Sequence, residues 1–199
     1  MSTLAELYRN IADCQDCKEL AQTRNHVVPG AGNEDATIVF IGEAPGFNED
    51  QQGIPFVGQA GQFLDHLLNS IGLKRSDVYI CNVIKCRPPG NRDPLPTEIL
   101  NCKKWLDQQL ELISPKMIVT LGRYSLAKFF PGETIGKVHG KERKHGDVIY
   151  YPMYHPAAAL HQQSLRQIIE ADMLRIPSLL AQTTAVKEED DKPQQLSLF

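Results

Sequence analysis

Residues 38–46 read Ile-Val-Phe-Ile-Gly-Glu-Ala-Pro-Gly. Four consecutive apolar residues bounded by Gly42 predict a short strand buried on both faces. The chain then breaks at Gly42, Pro45 and Gly46, where glycine lets backbone approach a ligand closely and reach conformations closed to other residues. Glu43 falls at the carboxyl end of the strand, where open α/β sheets place their ligands. A helix pattern begins after Gly58. Taken alone this is strand, glycine turn and helix, and Glu43 reads equally well as a solvated loop carboxylate.

The flanking sequence extends the pattern. Leu4, Leu7, Tyr8 and Ile11 give a short amphipathic helix leading into Cys14-Gln-Asp-Cys17. Asn48 to Gly53 reads as a polar loop. Gln59 to Ile71 reads as a helix with Phe63, Leu64, Leu67, Leu68 and Ile71 on its buried face and Gly72 as its stop. Val78 to Ile84 is a second strand, rich in β-branched residues, with Asn82 inside it. A buried amide needs partners, so Asn82 is either satisfied by backbone or reads a ligand with its donor and acceptor. Lys85 to Pro96 holds four prolines and a glycine and cannot be regular structure. Thr97 suits a helix N-cap, with Ile99, Leu106, Leu110 and Ile113 as the apolar stripe. Met117 to Leu121 is a third buried strand, and Tyr124 to Phe130 a short helix.

Ile135 to Pro152 reads as a hairpin around Lys144 to Asp147, carrying Lys137, His139, Lys141, Arg143, Lys144 and His145. It is either a solvated loop or a phosphate-contacting patch. Val148 to Tyr154 leads to His155-Pro-Ala-Ala-Ala-Leu160, and a final helix carries Leu165, Ile168, Ile169, Met173 and Ile176. From about Gln182 the composition turns polar and charged, so residues 182–199 read as a disordered acidic tail beyond a domain of residues 1–181. The alternation of strand and helix predicts a mainly parallel sheet covered on both faces. Glu43, Asn82 and His155 then converge on one cleft.

A 199-residue chain with 42% hydrophobic and 23% charged residues suits one domain with a substantial core. No apolar run approaches membrane-spanning length and the first residues lack a signal-peptide pattern, so the expected compartment is the cytoplasm. The net charge of −3 announces no global nucleic-acid field, and the acidic tail accounts for much of it. Any DNA surface must therefore be local. In a cytosolic chain, Cys14, Cys17, Cys81, Cys86 and Cys102 argue for metal or redox chemistry rather than disulfides. Cys14, Cys17, Cys86 and Cys102 could bind zinc or a four-iron cluster, and their spacing does not choose. Cys81 reads as a small core residue.

Gly42-Glu-Ala-Pro-Gly46 with Glu49-Asp50, Pro55-Phe-Val-Gly58, Asn82-Val-Ile-Lys-Cys-Arg-Pro-Pro-Gly-Asn-Arg92, Cys102 and His155-Pro-Ala-Ala-Ala-Leu160 occur in one order and spacing. Together they closely resemble the iron–sulfur uracil-DNA glycosylases, family 4, from about Cys14 to the last helix. The resemblance implies an α/β fold, a three-layer α/β/α sandwich around a mainly parallel four-stranded sheet. It also implies a [4Fe-4S] cluster on Cys14, Cys17, Cys86 and Cys102 that braces loops without entering the reaction. The substrate it implies is uracil in DNA, flipped into a pocket. Phe56 would stack on the ring, Asn82 read its edge, and backbone of Gly42, Glu43 and Ala44 line the pocket. His155 would stabilise the uracil anion, and Leu160 would fill the gap left by the flipped base. Better-known uracil glycosylases carry an aspartate where this chain has Ala44. The water-orienting role is therefore assigned to Glu43, with Glu49 and Asn91 in support.

Residues 195–199, Gln-Leu-Ser-Leu-Phe, resemble the bacterial sliding-clamp-binding peptide. Gln195 would be the polar anchor, and Leu196, Leu198 and Phe199 would fill an apolar groove, which implies a bacterial host. A monomer without membrane attachment is expected. Two other readings compete. One is an iron–sulfur module that binds uracil-DNA without cleaving it, or that traps it covalently. The other is a zinc hydrolase, weakened because four thiolates leave zinc no open position. The covalent branch carries a basic histidine-containing insertion and Gln in place of Ala44, and neither is present.

Overall fold

The structure, a computed structural model, describes residues 3–182. Beyond Gln182, the proposed tail, with the clamp-binding residues Gln195, Leu196, Leu198 and Phe199, lies outside the described residues. The chain runs α1 (Leu4–Ala12), α2 (Lys18–Thr23), β1 (Ala31–Gly32), β2 (Ile38–Gly42), α3 (Phe47–Gln52), α4 (Gln59–Ser70) and β3 (Tyr79–Asn82). It continues through α5 (Pro96–Ile113), β4 (Met117–Leu121), α6 (Arg123–Phe129), α7 (Ile135–Val138), β5 (Arg143–His145), β6 (Val148–Met153), α8 (Ala158–His161) and α9 (Ser164–Leu174).

The strands form one sheet in the order β1-β3-β2-β4-β6-β5. The four inner strands are parallel, as expected. Two short antiparallel strands, β1 on β3 and β5 on β6, extend it to six. Alternate residues of β2 serve opposite faces. Ile38 and Phe40 join Leu64, Leu67 and Met173 of α4 and α9. Val39 and Ile41 join Leu7, Ile11, Leu20 and Leu106 of α1, α2 and α5. The period of two thus yields the three-layer sandwich. No helix among the described residues is long and apolar enough to cross a membrane.

Three local expectations are corrected. Residues 47–52 form α3 rather than a polar loop, because Glu49 reaches back to the Gly46 N–H at 3.1 Å and Asp50 accepts from the Asn25 N–H at 2.9 Å. Leu95, not Thr97, caps α5. Pro96 opens the helix, and the Glu98 carboxylate accepts from the Leu95 N–H at 2.8 Å. Residues 135–138 are helical, so the hairpin is confined to β5 and β6, turning at Gly146 with φ +59°.

The chain starts the parallel sheet at β2, steps out to β3, then returns to β4 on the other side of β2. The connections leaving β2 and β4 therefore diverge, opening a crevice at their carboxyl ends. That crevice holds the candidate site.

Candidate functional site

An open cleft of about 1270 Å³, its mouth included, lies at the carboxyl ends of the parallel strands. Its lining includes Glu43, Ala44, Glu49, Phe56, Asn82, Asn91 and His155. All of the substrate-binding and catalytic candidates except Gly42 are in that lining. Gly42 lies directly behind it. A Cβ there would fall 2.4 Å from Asn82 Oδ1 and 2.6 Å from the Phe56 ring. Gly42 is thus required for space, and its φ lies outside the left-handed region, contrary to the expectation of a special backbone conformation. Leu160 is 48% exposed on α8, beside the cleft residue His161, rather than in a loop.

Phe56 is buried with its backbone at φ +54°. Such a conformation costs a non-glycine residue about 1–3 kcal/mol and persists only where the surroundings over-determine it. Here they do. Arg75 donates to the carbonyls of Pro55, at 2.9 Å, and Phe56. On the other side, the N–H groups of Val57 and Gly58 donate to Glu49 Oε1 at 2.9 and 2.8 Å. Gly61 of α4 lets the Phe56 carbonyl pass where a Cβ would sit 1.7 Å from it. The fixed ring stacks on His155, centroids 5.4 Å apart and planes at 26°.

Asn82 ends β3 and is 1% exposed. Its Oδ1 has no hydrogen-bond partner among the described residues. Its backbone carbonyl accepts from Lys85 Nζ at 2.8 Å, and Lys85 also donates to Gln109 Oε1 at 2.6 Å. The strand end is thus anchored by a buried cation while the amide oxygen stays unpaired. A buried acceptor without a donor is costly unless a ligand supplies one.

His155 Nδ1 accepts the Ala157 N–H at 3.1 Å, so the neutral ring carries its proton on Nε2. Burial lowers its pKa to about 4, partly opposed by the Glu49 charge. The ring is therefore a neutral donor at pH 7. The two carboxylates differ. Glu49 is spent on three backbone N–H groups. Glu43 is half-buried, and its carboxylate accepts no hydrogen bond among the described residues, although its backbone carbonyl accepts the Ile84 N–H at 3.1 Å. Burial, then the charge of Asp93, raises its pKa, while Arg123 lowers it. Asn91 Oδ1 accepts from Arg87 Nε at 2.7 Å, leaving its NH2 group as a donor.

A second, narrow cavity of about 360 Å³, its opening to solvent included, is lined in part by Cys14, Cys17, Cys86 and Cys102. All four are free thiols. Trp105 Nε1 donates to Cys14 Sγ at 3.4 Å, Arg24 Nη1 to Cys86 Sγ at 3.1 Å and Asn101 Nδ2 to Cys17 Sγ at 3.7 Å. Burial raises Cys17 and Cys86 and pushes Cys102 up to about 12. Among the described residues no three His, Cys, Asp or Glu side chains are grouped closely enough for a single metal ion. Cys81 is fully buried in the core, as expected.

Sequence reasoning missed Arg75, Gly61 and Lys85. A glycine inside the α4 pattern was the one available signal. Arg75 acts on carbonyls that only the fold brings near, and Lys85, close to Asn82 in sequence, is fixed by Gln109 from across the fold.

The fold and site together are a mainly parallel sheet with a cleft at its switch point and a second, cysteine-lined cavity reached by the same segment, residues 82–98. Residues 29–174 match the uracil DNA glycosylase superfamily, and the chain belongs to that family. It is 47% identical to a Type-4 uracil-DNA glycosylase of Sulfurisphaera tokodaii over 90% of this chain and 86% of that protein. The Archaeoglobus fulgidus protein of the same name is 47% identical, covering 90% and 94%. The Thermotoga maritima one is 42% identical, covering 90% and 98%.

Proposed function

We propose that this chain is a monofunctional uracil-DNA glycosylase that flips uracil from DNA and hydrolyses its N-glycosidic bond, starting base-excision repair. The observation that carries the reading is the unpaired Oδ1 of Asn82. Uracil offers N3–H to that oxygen and O4 to the amide NH2. Cytosine presents the reverse pattern and would leave both sides unpaired, which is strong discrimination. Phe56 carries the ring, and Gly42, Glu43 and Ala44 frame the pocket.

As the C1′–N1 bond lengthens, its electron pair moves onto the base. His155 Nε2–H donates to uracil O2 and stabilises that charge without protonating it. Glu43 is the unpartnered carboxylate and takes a proton from water as the water oxygen bonds to C1′. Glu49 holds the loop that presents Phe56, and Asn91 supports the water. Leu160 occupies the space vacated in the stack. The products are free uracil and an abasic site.

The donor set supports a [4Fe-4S] cluster on Cys14, Cys17, Cys86 and Cys102. Four thiols line one cavity with N–H donors on three sulfurs, whereas zinc would need its ligands on a single point. When bound, the cluster supplies a cross-link between the N-terminal segment, the Pro-rich loop and α5. No specific observation favours a non-cleaving or covalent binder.

Heating a uracil-containing strand in alkali after incubation tests the reading. Scission at uracil, none at thymine, and strong loss in His155→Ala are expected. Tight retention of the strand by iron-loaded protein without scission would overturn it. We further infer that the enzyme acts as a monomer in the bacterial cytoplasm and that Gln195, Leu196, Leu198 and Phe199 tether it to a sliding clamp. Deleting residues 195–199 should abolish clamp capture and spare activity on free oligonucleotides. Unchanged capture would refute the tether.

A further inference from the structure

Phe47 is the first residue of α3 and is 56% exposed. It follows Pro45 and Gly46, which line the cleft, and precedes the cleft residue Glu49. Exposed large apolar side chains are ordinary when scattered, but this one is an aromatic ring on the rim of the substrate cleft. The Arg87 guanidinium lies over it, 5.1 Å from the ring centroid. Arg87 is held from a second side by its Nε bond to Asn91 Oδ1 at 2.7 Å, and Asn91 and Pro88 also line the cleft.

The charges nearby differ in a telling way. Arg92 is paired with Glu98 and Glu19, Arg123 with Asp93, and Arg75 with Asp65. Arg87 has no carboxylate partner among the described residues. It is an oriented guanidinium with its terminal N–H groups uncommitted, beside an open ring, at the edge of the cleft. A planar cation suits phosphate, and a fixed aromatic ring suits a base stripped of its neighbour's stacking.

We propose that Phe47 and Arg87 form a subsite for the nucleotide next to the flipped uracil, Phe47 stacking its base and Arg87 binding its phosphate. The subsite rests on the uracil-DNA reading, since it is that strand which must leave the cleft past this rim. It gives the enzyme a grip on a flanking base that has lost a stacking partner when uracil swings out. Sequence tolerance is expected, because every base has a π face.

The test measures kcat/KM on single-stranded oligonucleotides with one uracil. In one set, the nucleotide on either side of uracil is replaced by an abasic spacer. In a second set, one flanking phosphate is a neutral methylphosphonate. Wild type should lose about tenfold when the base is removed on one of the two sides, as expected for one stacked base. Phe47→Ala should show that loss on the intact strand, mainly in KM, and no further loss with the spacer. Phe47→Tyr should restore the wild-type response, and Arg87→Gln should erase the penalty of one methylphosphonate. Wild-type kcat/KM in Phe47→Ala would overturn the subsite, as would an unchanged spacer penalty in that variant or indifference of wild type to both spacers. Failure of wild type to release uracil from any strand would instead sink the glycosylase reading.

Discussion

The substrate cleft and the cysteine cavity are joined by one segment, residues 82–98, yet they are built on opposite rules. In the cleft, two side chains are left without hydrogen-bond donors among the described residues: Asn82 Oδ1 is unpaired and the Glu43 carboxylate accepts nothing. In the cavity, three of the four sulfurs already receive N–H donors. Arg92 stands between them, lining the cleft while pairing with Glu98 of the cavity wall at 2.7 Å. The difference teaches where chemistry is expected. Unpaired buried polar atoms are expensive and wait for a ligand that comes and goes. On the proposed cluster reading, thiols whose burial favours the protonated form give up their protons to a metal that stays.

The largest effect that sharpens this contrast is His155→Ala. Loss of one donor to a developing anion should lower kcat by about 10²–10³-fold, with Tm and bound iron unchanged. A fall in iron or Tm alongside activity would show that cleft and cavity are not separable. Gly42→Ala comes next. The added methyl displaces both Asn82 and Phe56, and misplacement of that size costs about 10²-fold in single-turnover rate. Unaltered turnover would mean those two groups do not hold the base. Cys102→Ala belongs to the other region. Iron should be lost and Tm should drop by roughly 10 °C, taking the cross-link as similar to a disulfide in a chain of this length. Its kcat per folded molecule should fall less than in the two cleft variants. A larger fall in kcat at intact Tm would give the cavity a direct part in the reaction.

How much of this was readable beforehand depends on how local each cause is. The strand at 38–42 and its turn were legible because four apolar residues and a glycine state them within nine positions. Glu43, Asn82 and His155 could be placed at or near strand ends, and the structure puts them in one cleft, while Cys14, Cys17, Cys86 and Cys102, singled out by spacing, line one cavity. α3 was not, since Asn-Glu-Asp-Gln-Gln has loop composition and its order comes from Asp50 binding Asn25 across the fold. β1 spans two residues, too short to show a period. The left-handed backbone of Phe56 depends on Arg75, nineteen positions away, and on Glu49. The reason for Gly42 also lay in its neighbours, because only the fold places Asn82 and Phe56 against it.

The smallest effect concerns pH and separates the two titrating groups of the cleft. In the proposed mechanism Glu43 must be ionised to take a proton from water, and its pKa is raised by burial and by Asp93. The acid limb of kcat/KM should therefore fall as pH drops through a value above 4.5, and Glu43→Gln should remove it. Asp93→Asn removes a charge that raises Glu43 and frees Arg123, which lowers it, so the limb should move to lower pH. His155 acts as the neutral ring. With its folded pKa near 4 and an ordinary value of 6.5, it stays competent well below neutrality. Its contribution to stability has the matching sign, present above about 6.5 and lost as pH falls toward 4, because the unfolded state takes up the proton first. His155→Asn should flatten that acid destabilisation in a Tm-against-pH series. A limb near 6.5 that survives Glu43→Gln and disappears in His155→Asn would show that the ring titrates normally. The buried, neutral donor would then be the wrong description of this cleft.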